Sequence, residues 1–96
     1  MLSNTIVVTN ILHFKELVSR AAYILENSED KTIILDFNDM DYPQSAIVGA
    51  IISISDKVKE MGGKLIFENV GPEMLDQFAT LNLTQFDSIT SKGRLD

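Results

Sequence analysis

Ile33-Ile34-Leu35-Asp36-Phe37-Asn38-Asp39-Met40-Asp41-Tyr42-Pro43-Gln44-Ser45-Ala46-Ile47-Val48-Gly49-Ala50-Ile51-Ile52 is the stretch around which the chain is organised. It reads as a buried strand, an acidic loop and the start of an apolar helix. Ile33, Ile34 and Leu35 form a continuous apolar run, which predicts a central strand covered on both faces. The loop carries Asp36, Asp39 and Asp41. Pro43 stops the extended segment and Gln44-Ser45 opens the helix. Ser45 therefore falls at or near a helix N-terminus, at the carboxyl end of a strand. In open α/β sheets functional groups collect at that end.

The rest of the composition narrows the function classes. A chain of 96 residues predicts one domain, residues 1–96. Hydrophobic residues make up 45% of it, enough for a packed core. The formal net charge is -6, which argues against nucleic acid or an anionic membrane surface as the main partner and leaves proteins. There is no cysteine, so disulfides and thiol chemistry are excluded. Met1-Leu2-Ser3-Asn4 lacks the basic and apolar regions of a signal peptide, and no apolar run is long enough to span a bilayer. The expectation is a soluble cytoplasmic domain.

Outward from the central stretch, Thr5 to Thr9 is β-branched and predicts a first strand, with Asn10 as a candidate cap. From Leu12 to about Asn27 the apolar residues Phe14, Leu17, Val18, Ala21, Ile24 and Leu25 recur at helical spacing and predict one inward stripe. The single histidine, His13, lies off that stripe with no second ligand or nucleophile at a recognisable spacing, and reads as solvated. Thr32 to Phe37 is the second strand. On the helix after it, Ile47, Ile51, Ile54, Val58 and Met61 predict the core face. Ser45, Val48, Gly49, Ile52 and Asp56 occupy a neighbouring face, with Ser53 beside it. Gly62-Gly63 ends that helix, with Lys57 and Lys59 in its closing turns. Lys64 to Asn69 is the third strand. Gly71-Pro72-Glu73 starts a third helix, whose inward face takes Met74 or Leu75, Phe78 and Leu81. A last short strand is expected around Phe86 to Ile89, followed by a frayed tail over 91–96. The order βαβαβα(β) predicts an α/β fold: a small sheet of about four strands with three main helices, parallel pairing and right-handed crossovers.

Three kinds of chemistry can be set on this frame. Asp36, Asp39 and Asp41 could hold Mg²⁺, or Asp36 could accept a phosphoryl group, since Ile33-Ile34-Leu35-Asp36 resembles the central strand of a receiver domain. Mg²⁺ would need further carboxylates converging from another strand, and the first strand ends in Val8-Thr9-Asn10. A nucleotide site lacks both a Walker-type loop and a GxGxxG. Ser45 is either an ordinary helix cap or a phosphoacceptor. A phosphate there suits the helix dipole, but a partner closing over Val48 and Ile52 would have to desolvate it, and nearby Asp39 and Asp41 add repulsion.

Several motifs, in order, resemble the STAS family and in particular its single-domain anti-sigma-factor antagonists. They are Leu35-Asp36, then Gln44-Ser45-Ala46-Ile47-Val48-Gly49, Gly62-Gly63-Lys64-Leu65, Asn69-Val70-Gly71-Pro72-Glu73 and Thr80-Leu81-Asn82-Leu83. The resemblance implies a STAS-like sheet and a non-enzymatic protein with no cofactor or metal. It implies phosphorylation of Ser45 by a partner kinase, and a contact surface made of Asp39, Asp41, Tyr42, Gln44, Ser45, Val48, Gly49 and Ile52. The partner it implies is a regulatory protein such as an anti-sigma factor or serine kinase, with a phosphatase to reset the switch. Gln44 stands where those proteins carry an acidic residue, Ala46 where they carry a second hydroxyl and Ile47 where they carry glycine. The alternatives are a constitutive interaction or assembly module, including a weak homo-oligomer, and an Asp-phosphoacceptor domain.

Overall fold

The structure is a computed structural model and describes residues 4–9, 12–40, 44–80 and 88–91. Strands β1 (Thr5–Val7), β2 (Thr32–Asp36), β3 (Lys64–Val70) and β4 (Ser88–Ser91) alternate with helices α1 (Phe14–Asn27), α2 (Ser45–Met61) and α3 (Pro72–Thr80). The fold class expected from the sequence is the one observed. The strands form a parallel sheet in the order β1-β2-β3-β4. Each crossover joins neighbouring strands and steps the same way across the sheet, so right-handed connections bring the helices to one face.

That arrangement corrects the expectation of a central strand covered on both faces. Ile33 and Leu35 are fully buried, with Ile6, Leu65 and Phe67 on the same face, whereas Ile34 between them is only half-buried. Ile34 pairs with Thr5 on one side and Ile66 on the other, and both of these are half-buried too. The strands thus alternate between a helix-covered face and an open one.

Other boundaries shift. β1 is shorter than expected, although the Val8 N–H still donates to the Asp36 carbonyl (2.9 Å). α1 starts at Phe14 with His13 as its N-cap; Asn10, the cap expected from the sequence, lies outside the described residues. His13 is exposed, as read. Ser91, assigned to a frayed tail, belongs to β4 and pairs with Val70, because a register shift between Phe67 and Val70 carries the ladder further along. Residues 92–96 lie outside the described residues, as do Leu81 and the Phe86-Asp87 part of the expected last strand.

Helix α2 buries Ile47, Ala50, Ile51, Ile54 and Val58; Met61, expected on the same face, is half-buried. It ends in a Schellman motif. Gly62 is left-handed (φ 71°), its N–H donates to the Lys59 carbonyl, and the Gly63 N–H donates to Val58 (2.9 Å). A Cβ on Gly63 would run into the carbonyl oxygen of Lys31, which itself accepts the Lys64 N–H (2.9 Å). The glycine pair therefore ends the helix and lets β3 enter beside β2. Pro72 takes the first position of α3, as its fixed φ favours. Met74 and Phe78 are that helix's buried residues, and Leu75 is half-buried. The Phe78 ring closes a trio with Phe37 (6.0 Å between centroids) and Phe67 (5.2 Å), which clamps α3 to the carboxyl half of the sheet.

Candidate functional site

The carboxyl end of β2 leads into the loop before α2. Phe37 and Met40 close a turn, the Met40 N–H donating to the Phe37 carbonyl (3.0 Å), and both side chains are fully buried. Asn38 and Asp39 occupy the tip and are exposed. Asp39 is thus a solvated turn residue. Asp36 holds the turn from below. One carboxylate oxygen accepts the Asn38 N–H (2.9 Å), an Asx-turn, and also the side-chain amide of Asn69 (2.9 Å). Asn69 reaches it from the irregular end of β3, where its backbone is left-handed (φ 57°). Asp36 is therefore a joint between β2 and β3. Among the described residues, no three His, Cys, Asp or Glu side chains converge as a metal site would require.

Asp41, Tyr42 and Pro43 lie outside the described residues. The chain re-enters at Gln44, which is the N-cap of α2. Its backbone is extended (φ -82°, ψ 156°) and its carbonyl accepts the first helical hydrogen bond, from Val48 (3.0 Å), but its side chain makes no capping bond. Ser45 is the first helical residue rather than the cap, and it is exposed. The first turn of α2 carries no acidic side chain. The positive end of the helix dipole therefore meets no carboxylate from its own turn.

Along the helix from Ser45, Val48 is half-buried and Ile52 is 43% exposed. The two form a part-exposed apolar strip on the same side of the helix as the serine. Gly49, on its other side, is half-buried beneath Phe14: a Cβ on Gly49 would sit 3.4 Å from the Phe14 ring. Phe14 itself is 40% exposed, which corrects its place in the buried stripe of α1. It stands at the first position of that helix and lies over α2, so the apolar surface near Ser45 is wider than the α2 residues alone suggest.

A family model of the STAS domain matches residues 1–93. The chain belongs to the STAS family. A comparison with curated proteins gave no match. In this STAS domain the three departures from the family's serine motif have different fates. Gln44 and Ala46 are exposed, flanking Ser45, whereas Ile47 is 1% exposed and points into the core. Ile47 is therefore part of the core and adds nothing to the exposed surface of the helix start. Gln44, Ser45 and Ala46 together form the exposed start of α2.

Four features escaped sequence reasoning. Met40 carried a weak signal, as an apolar residue between two aspartates. Asn69 carried one in its propensity for left-handed backbone. Nothing local marked Phe14 as exposed or Gln44 as the cap, because both depend on how α1 and the loop meet α2. Among the described residues, no helix is long and apolar enough to cross a membrane.

Proposed function

We propose that this STAS domain is a non-enzymatic cytoplasmic switch that binds a regulatory protein, of anti-sigma-factor or serine-kinase type, and releases it when Ser45 is phosphorylated. One observation carries the reading. Ser45 is exposed at the first position of α2, outside the capping role, beside the half-exposed Val48 and Ile52. Phosphorylation adds about -1.5 to -2 charges. The dipole of α2 favours that charge within the free protein. A partner closing over Val48 and Ile52 would have to desolvate it, which weakens the complex. Asp39, Asp41, Tyr42, Gln44 and Gly49 complete the contact surface in this account, and a phosphatase restores the binding form.

Binding of the purified partner to wild type, Ser45→Ala and Ser45→Asp tests this. The alanine variant is expected to bind as wild type does and the aspartate variant at least about tenfold more weakly, the scale of like-charge mismatch at an interface. Equal binding by both variants, with the fold intact, rejects the switch. The second reading is a constitutive interaction module, favoured by Gln44 and Ala46, which offer a kinase neither the acidic residue nor the second hydroxyl of the family motif.

A further inference from the structure

The open face of the sheet lies away from the Ser45 surface and has its own pattern. Three positions of β3 point to it: Lys64, Ile66 and Glu68. Their register partners on β2 are Thr32, Ile34 and Asp36. Thr5 and Val7 of β1 follow, opposite Ile34 and Asp36. The face is thus laid out in three rows. Thr32 and Lys64 form a row at the amino end of the strands. Thr5, Ile34 and Ile66 form the middle row, which is half-buried. Val7, Asp36 and Glu68 form the row at the carboxyl end, with Val7 44% exposed. Among the described residues, no helix covers this face.

We propose that this face is a self-association surface, on which a second copy of the chain docks with its strands antiparallel, about a two-fold axis running across the strands through the Ile34–Ile66 row. Charge complementarity selects this occupant and this orientation. Lys64 and Glu68 flank Ile66 at two residues on either side. Rotation about that axis lays Ile66 on Ile66 and Ile34 on Ile34. It sets each Lys64 opposite the partner copy's Glu68, and each Thr32 opposite the partner copy's Asp36. The contact is isologous, so every pairing occurs twice. The other face-to-face dimer, with strands parallel, gathers the Lys64 pair at one end and the four carboxylates of Asp36 and Glu68 at the other, where like charges repel. Two sheets stacked this way approach to about 10 Å, close enough for side chains of the two middle rows to interdigitate. The apolar row is short, so association is weak and depends on concentration.

Sedimentation of the full chain from micromolar to millimolar concentration tests the proposal, with circular dichroism to confirm that each variant is folded. The wild type is expected to pass from monomer to dimer, and less readily as salt screens the ion pairs. Lys64→Glu and Glu68→Lys, each alone, are expected to raise the dissociation constant at least about tenfold, since each places like charges opposite one another twice. The double swap Lys64→Glu/Glu68→Lys restores the pairing and is expected to return the constant to within about threefold of wild type. A wild type that stays monomeric throughout overturns the proposal and leaves the face to another protein. A dimer that survives both single swaps, or a double swap that stays monomeric, overturns it as well.

Discussion

At its carboxyl end α2 stops on two glycines with fixed tasks. Gly62 takes the left-handed backbone of the Schellman motif, and Gly63 passes under the Lys31 carbonyl that receives β3. At its amino end the same helix starts from Gln44, whose side chain caps nothing, and from an exposed serine. One end is fixed by backbone geometry that few residues satisfy. At the other end, among the described residues, neither the Gln44 side chain nor an acidic residue of the first turn holds the helix start. The two ends of one helix thus place different demands on their residues, and substitutions at them should show it.

The largest effect is expected at Gly63. Alanine there forces its Cβ into a backbone carbonyl that cannot swing aside, and urea unfolding should show a loss on the order of 3 kcal/mol, the upper range for overpacking. Gly62→Ala has open space around it and suffers only the left-handed backbone, about 1–2 kcal/mol by the same measurement. At the opposite end the sign reverses. Gln44→Asp supplies a capping carboxylate in a suitable extended backbone and should raise stability by about 1 kcal/mol, read as an increase in Tm. A gain there would show that the native residue was not chosen for the helix.

A titration sharpens the same contrast on the side of the sheet where Gly63 lies. Asp30 precedes Lys31, and its carboxyl is held below its ordinary value by the Ser28 hydroxyl, then by the Thr32 N–H and the Asn4 amide. A carboxyl with a lowered folded pKa stabilises the fold above its unfolded value of 3.8, and that contribution is lost as pH falls through the folded value. Asp30→Asn should therefore flatten the acid limb of a Tm-against-pH curve below about pH 4. The smallest effect on stability is expected at Ser45, where alanine should stay within about 0.5 kcal/mol of wild type, as for a surface residue outside any cap or network.

The architecture was legible because its signals are local. Pro72, Gly62-Gly63 and the spacing from Ile47 to Val58 each state a backbone or packing requirement in the residues themselves, and each element they predict is present. Ser45 was placed correctly at a helix start, though one position inside the cap. The failures are relational. Ile33-Ile34-Leu35 is the same apolar run whether a sheet has helices on one face or two; only the strand order decides, and it leaves Ile34 half open. Phe14 obeys the α1 stripe, yet its ring lies over Gly49 and remains part-exposed, because inter-helix approach at the end of a helix has no signature in its periodicity. The turn through Asp36, Asn38 and Asn69 joins residues far apart in sequence and was read only as acidity.

The most direct test of Ser45 as the functional end of α2 is a pull-down from lysate of the source cells with wild type and Ser45→Asp, both verified as folded, and identification of what each retains. The account predicts a kinase-like or other regulatory protein held by wild type and lost from the aspartate variant. If both forms retain the same protein in equal amount, Ser45 does not control binding and the account of the amino end of α2 is wrong.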